Sequence, residues 1–367
     1  MKTWNYSYAS RQGIGHKKGN TPCQDHSLGV FANETTVVAV SDGAGSKPLS
    51  HIGSEVAVKT VCQLLSESFD LLWDSGETGI TEEVLSAFQK NLEEVKKEGT
   101  LNQAYASTLL FIAIKDQRFI AGHIGDGVIG SLTDDGELQV VSHPENGEFD
   151  NITYFITEED AFVNFRVQKG KIDKRTAFIL MSDGVDDSLY IKSEKALATA
   201  NRNIMDWINE VSSGYQQEEL NTELGSIIEE YFLKRSPSLD DCSLALIGCA
   251  KATNEEASDN RVQAKKASHK LRVKLNGRDH DLLANMLKRL DQVDVLKRNV
   301  KIITMVNEGE DGPALTDKSV SDILEISEST VQRVRRSYAI GGFFSLLGEG
   351  EEIARPADPE EMNESIN

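Results

Sequence analysis

The stretch that decides the fold is Val37-Val38-Ala39-Val40-Ser41-Asp42-Gly43-Ala44-Gly45, where a short β-rich apolar run stops at an aspartate followed by glycine. The same pattern returns as Phe178-Ile179-Leu180-Met181-Ser182-Asp183-Gly184. Two further aspartates sit beside apolar runs: Asp241 just before Leu244-Ala245-Leu246-Ile247, and Asp25 just before Leu28-Gly29-Val30-Phe31. Strand ends are where a rigid sheet can aim side chains at one point. Carboxylates gathered there repel one another unless cations sit between them. A glycine after the aspartate lets the backbone approach a ligand closely. The pattern implies a hard-metal site for Mg²⁺ or Mn²⁺, built of oxygen ligands.

The order and spacing of these segments resemble the metal-dependent Ser/Thr protein phosphatases of type 2C. Thr21-Pro22-Cys23-Gln24-Asp25 resembles the family's first motif and Ser41-Asp42-Gly43-Ala44-Gly45 its second. Ser107-Thr108-Leu109 and Gly125-Asp126-Gly127 resemble its central strand pair, and Asp183-Gly184 with Asp241 complete the set. The resemblance covers residues 1 to 250 and implies an α+β domain, an αββα sandwich with metals at one sheet end. It implies that Asp42 bridges two ions, that the Gly43 carbonyl serves one of them, and that Asp183 and Asp241 complete the shell of the other. Asp126, Asp183 and Asp187 match the ligands of a third, weaker metal; Asp187, not the adjacent Asp186, keeps the family spacing from Asp183. Asp25 is implied to act with Asp42 in catalysis, by orienting the waters around the metals. Asp186 and Asp240 read as turn or helix-cap residues.

The activity implied is hydrolysis of phosphoserine or phosphothreonine on a protein substrate. Such chemistry needs a strong nucleophile at neutral pH and neutralisation of phosphoryl charge, and two metal ions roughly 3.5–4 Å apart supply both. Two departures from the family pattern bear on substrate handling. An Arg that binds substrate phosphate usually lies about five residues before the first-motif Asp, and here that position is Asn20. His16 and Lys17 are the nearest replacements for phosphate contact, although Lys17 and Lys18 also read as ordinary solvated charges. Many eukaryotic members place a general-acid His shortly after the same Asp, and the nearest match is the adjacent His26.

At 367 residues the chain exceeds the usual size of one domain, so two are expected. No apolar run reaches the length of a membrane span. The opening Met1-Lys2-Thr3-Trp4-Asn5 lacks the apolar core of a signal peptide. Four cysteines (Cys23, Cys62, Cys242, Cys249) form no CxxC pair, which argues against zinc and for a reducing, cytoplasmic setting. The net charge of −20 is unevenly spread: acidic residues dominate before residue 260, basic ones over 261 to 348, and acidic ones again over 349 to 367. That asymmetry suggests different partners for the parts.

Helical spacing predicts helices over 50–74, 82–98, 201–213 and 218–233, and strands over 107–115, 118–124, 137–142, 160–167, 176–182 and 243–249. Residues 1–250 are expected to form the phosphatase domain, 251–268 a polar linker, 269–348 a small all-α domain, and 349–367 an acidic tail. In the third segment Leu282, Leu283, Met286, Leu287 and Leu290, then Val300, Ile303 and Val306, keep helical spacing. Residues 316–325, a turn at Ile326-Ser327, and 328–336 follow as helix, turn and helix, and resemble a transposase-like helix-turn-helix module. Its second helix would offer Thr330, Gln332, Arg333 and Arg336 to bases and phosphates. The partner of this module is duplex DNA or a protein. A rival reading of the whole chain is a non-catalytic DNA-binding regulator with the phosphatase fold as sensor or scaffold, but the complete aspartate set favours an enzyme.

Overall fold

A computed structural model describes residues 4–145, 153–211, 216–233, 239–249, 294–307 and 313–341. The chain divides into two compact units, Met1–Leu271 and Arg272–Asn367. The expected linker and acidic tail, and the apolar run Leu282 to Leu290, lie outside the described residues.

The first half of unit one runs β1 (Trp4–Arg11), α1 (Ile14–Gly19), β2 (His26–Ala32), β3 (Thr35–Ser41), α2 (Ser50–Val95), β4 (Leu109–Lys115), β5 (Arg118–Ile124), β6 (Val128–Thr133) and β7 (Leu138–Ser142). There follow α3 (Ala161–Asn164), β8 (Arg166–Lys171), β9 (Arg175–Met181), α4 (Asp183–Leu189), β10 (Tyr190–Ile191), β11 (Ala196–Leu197), α5 (Ala200–Asn209), α6 (Gln217–Ile227) and β12 (Cys242–Cys249). One five-stranded sheet has the order β1-β12-β9-β6-β7 and the other β2-β3-β4-β5-β8, each pairing antiparallel.

The apolar run of β3 is buried along its whole length because both its faces are covered. Val37 and Ala39 pack with Val56, Val61, Leu65 and Phe88 of α2. Val38 and Val40 point the other way, into a core shared with Phe178, Leu180, Ala245 and Ile247 of the opposite sheet. Helices α5 and α6 pack on the far face of that sheet. The layers are therefore helix, sheet, sheet and helix. Burying each such Val, Leu, Ile or Phe side chain is worth about 1.5–3 kcal/mol, so β3 ties the two cores together.

Strand register gathers the aspartates. Val40 pairs with Leu110 and Leu109 with Ile124, so the end of β3 and the turn after β5 share one sheet end. Met181 pairs with both Val128 and Leu244, which brings Asp183 beside Asp126 and Asp241 at the end of the second sheet.

Some expectations are corrected. Residues 160–167 were expected as a strand, but Ala161–Asn164 is one helical turn and β8 begins at Arg166. Ala161 and Phe165, four apart, are the buried pair, whereas Phe162 and Val163 face solvent. The helices expected over 50–74 and 82–98 are both present: Ser50–Val95 is two helices meeting at a kink, where Ser68 and Gly76 (φ +78°) leave helical geometry. The helix expected over 218–233 ends as regular α-helix at Ile227 and finishes in a π-helical turn, Ile228–Leu233.

In the second unit α7 (Asp294–Val306), α8 (Asp317–Leu324) and α9 (Glu328–Gly341) share a small core of Val300, Ile303, Val306, Val320, Val331 and Val334. The Thr316 hydroxyl accepts from the Ser319 N–H at 3.2 Å to cap α8, and Ser327 caps α9 in the same way through the Thr330 N–H at 3.2 Å. Between these helices Glu325 turns the chain in a left-handed conformation (φ 54°). A buried fork joins them: Arg335 Nε lies 3.0 Å from Asp317 Oδ1, and Nη2 donates to Oδ2 at 3.2 Å. Removing one member of such a pair leaves a buried charge uncompensated, at a cost of about 3–5 kcal/mol. Asp317→Ala should therefore melt the second unit in a scan of the full chain while the transition of the first unit stays. An unchanged unfolding profile would show that the fork contributes nothing to that unit.

Candidate metal centre

Asp25, two per cent exposed, accepts a hydrogen bond from Ser182 Oγ at 2.8 Å through Oδ2. Ser182 is itself fixed, because its Oγ accepts from the Ser243 N–H at 3.0 Å. Asp42 is held through its backbone: its N–H donates to Thr108 Oγ1 at 2.9 Å and its carbonyl accepts from the Thr108 N–H at 2.8 Å. The Asp25 and Asp42 carboxyls lie close enough to act on one another. Burial, then the charge of Asp241, pushes Asp25 up to about 8. Burial likewise holds Asp42 well above the usual carboxylate range, reinforced by Asp25, Asp183 and Asp126 in that order.

Asp241 is one per cent exposed, and its oxygens accept from two backbone donors, Oδ1 from the Gly13 N–H at 2.6 Å and Oδ2 from the Gln24 N–H at 2.5 Å. Each oxygen keeps a further lone pair. The glycines after Asp42 and Asp183 serve backbone packing. A Cβ on Gly43 would stand 2.8 Å from the Gln24 carbonyl oxygen and the same distance from that of Ser50. A Cβ on Gly184 would run into the Asp241 carbonyl. Each Asp-Gly pair thus presses one segment of the centre onto another.

Strand register brings Asp25, Asp42, Asp126, Asp183 and Asp241 together, near enough that their charges raise Asp25 and Asp42. Asp126 accepts from Thr153 Oγ1 at 2.6 Å. The Asp187 side chain lies outside the described residues. Asp240, read as a turn residue, accepts the Asp241 N–H at 2.8 Å through Oδ1. His26 pairs its Nδ1 with Ser54 Oγ at 2.9 Å, and burial lowers its affinity for a proton. Asn20, where the family's Arg was sought, is the left-handed cap of α1 (φ 53°), a conformation suited to Asn. Lys17 is exposed, and His16 is turned onto Asp240 and Asp241. The supporting roles of Ser182, Thr108 and Thr153 were missed. Ser41 and Ser182 each precede an Asp-Gly pair, a repeat that marks a strand end, but nothing near Thr153 signals its contact.

The donor set fits divalent cations. Hard carboxylate oxygens converge, and the charges acting most strongly on Asp25 and Asp42 come from other aspartates.

Comparison with known proteins agrees. The sequence model of the family described as protein phosphatase 2C matches residues 12–229. Serine/threonine-protein phosphatase 3 of Escherichia coli (strain K12) is 30% identical over 196 residues, spanning 50% of this chain and 74% of that protein. Among solved structures, the S. agalactiae serine/threonine phosphatase is 16% identical with a TM-score of 0.48, covering 67% of this chain and 100% of that one. The catalytic domain of PstP, in complex with two manganese ions, is 19% identical with a TM-score of 0.45, covering 68% and 100%. The chain belongs to the protein phosphatase 2C family, metal-dependent serine/threonine phosphatases that use Mn²⁺ or Mg²⁺. No helix among the described residues is long and apolar enough to cross a membrane.

The raised carboxyls fix a sign for pH dependence. A carboxyl whose folded pKa lies above its unfolded value binds protons more tightly in the folded state. Its contribution is fully present below the unfolded value and is lost as pH rises towards the folded one, here about 8 for Asp25. The metal-free chain should lose thermal stability between about pH 5 and 8. Mn²⁺ should raise the melting temperature more at pH 8 than at pH 5, since protons compete for the same oxygens. A metal-free melting temperature that rises over this interval, with equal Mn²⁺ shifts at both ends, would contradict the arrangement.

Proposed function

We propose that the chain hydrolyses phosphoserine and phosphothreonine on proteins, with residues 1–250 carrying the chemistry. The observation that supports this most is the convergence of Asp25 and Asp42 with Asp183, Asp126 and Asp241, whose charges raise the two carboxyls. Two divalent cations, when bound, supply a nucleophilic water at neutral pH and neutralise phosphoryl charge. Asp42 would hold both ions, with the Gly43 carbonyl, Asp183 and Asp241 as further ligands. Asp25, anchored by Ser182, would accept a hydrogen bond from the attacking water and orient it. Asp126 and Asp183, with Asp187, would hold a third, weaker ion. Lys17, exposed at the end of α1, is the fitting contact for the substrate phosphate. His26 is not placed to donate a proton, so the leaving serine or threonine oxygen takes its proton from water.

Asp42→Asn removes a charged bridging ligand and should cut turnover of a phosphothreonine peptide at saturating Mn²⁺ by about 100-fold or more, with the fold intact. Near-normal turnover would remove Asp42 from the centre.

The second unit fits a recruiting role, with duplex DNA the favoured partner and a protein the alternative. On α9 Gln332 and Arg333 are exposed and Thr330 and Arg336 half-buried, whereas Arg335 is engaged by Asp317. If DNA is bound, affinity should fall steeply with salt, and Arg333→Ala should weaken it while lowering the salt slope by about one. Fluorescence polarisation with the full chain and random duplex at low salt measures this. No binding to any duplex would leave protein recruitment as the better account.

A further inference from the structure

His16 is wedged between two consecutive aspartates. Its Nδ1 lies 2.9 Å from Asp241 Oδ2, and its Nε2 lies 3.7 Å from Asp240 Oδ1. At 2.9 Å the first contact is short enough for a hydrogen bond, yet Nδ1 is buried and has no hydrogen-bond partner. A ring nitrogen and a carboxylate oxygen this close need a proton aligned between them or a cation bound to both. The alignment for a proton is missing. An octahedral cation with bonds of about 2.1 Å sets neighbouring donor atoms about 3 Å apart, which is the separation found. One donor atom from each of His16, Asp240 and Asp241 fits within 4.8 Å of the others.

The surroundings hold this arrangement in place. Asp241 is pinned by the Gly13 and Gln24 N–H groups, and Gly13 begins the turn that carries His16. The His16 carbonyl accepts from the Thr21 N–H at 3.0 Å, so the ring stands on a fixed turn. At 3.7 Å, Asp240 Oδ1 stands on the Nε2 side of the ring. A carboxylate behind the outer nitrogen is what a metal-bound imidazole commonly has, and it sets the tautomer that leaves Nδ1 free to bind.

We propose that His16 is a nitrogen ligand, through Nδ1, of the divalent cation that Asp241 holds, with Asp240 orienting the ring. The inference rests on the two-metal reading above. It departs from the all-oxygen ligand set expected from the sequence, and it replaces phosphate contact as the role of His16. Carboxylate, carbonyl and water suit both Mg²⁺ and Mn²⁺, but Mn²⁺, a first-row transition ion, accepts an imidazole nitrogen more readily than Mg²⁺ does. His16 therefore biases the centre towards Mn²⁺.

The test uses the full chain, stripped with chelator and reloaded with Mn²⁺ alone. Electron spin-echo modulation should show a directly bound ¹⁴N, lost in His16→Gln and kept in His51→Gln. The Mn²⁺ dissociation constant should rise about ten-fold or more in His16→Gln, while that for Mg²⁺ changes less than about two-fold. Mn²⁺ bound without ¹⁴N modulation in the unaltered chain overturns the inference and leaves an oxygen-only centre standing. No Mn²⁺ binding at all overturns both. The unaltered chain's spectrum decides the matter even if His16→Gln fails to fold.

Discussion

Asp241 accepts a backbone N–H on each carboxylate oxygen, and with those two bonds the start of β12 is tied to both ends of the segment between β1 and β2. The rest of the centre hangs on this clamp. It fixes the loop that carries Asp25, and Ser182 at the end of β9 fixes the Asp25 carboxyl in turn. Gly184 lies against the Asp241 carbonyl and Gly43 against Gln24. Like charges are thus held together by neutral backbone contacts, without a countercharge at their centre. Such an assembly costs free energy by itself, as the raised Asp25 and Asp42 show, and a divalent cation relieves it.

Much of this was legible in the sequence. A β-rich run ending in Ser-Asp-Gly marks a strand that is buried on both faces and stops at a functional edge, and β3 and β9 are such strands. The resemblance to type 2C phosphatases supplied the order of the aspartates, and the family match bears out the family itself. What escaped were elements whose signal is weak in isolation. β1, with the sequence Trp-Asn-Tyr-Ser-Tyr-Ala-Ser-Arg, and β6, with glycine and serine at its middle, lack a clear apolar run. The turn at Ala161–Asn164 looked like a strand because Phe162 and Val163 are apolar, although neither is the buried residue. Side-chain roles were harder still. Nothing in the spacing of His16 shows that it stands between Asp240 and Asp241, since a contact across more than 200 residues depends on register alone.

The second unit follows a different logic. Its helix α9 carries Arg333, Arg335 and Arg336, but the best buried of them is structural: Arg335 is spent on Asp317. On α9 that leaves Gln332 and Arg333 exposed, with Thr330 and Arg336 half-buried.

The measurement that tests the central claim most directly is anomalous diffraction at the manganese edge from crystals equilibrated with Mn²⁺. The account predicts two strong peaks about 3.5–4 Å apart, flanked by Asp42, with Asp183 and Asp241 on one of them. Peaks confined to other surfaces, or no density among these aspartates at saturating Mn²⁺, would contradict it.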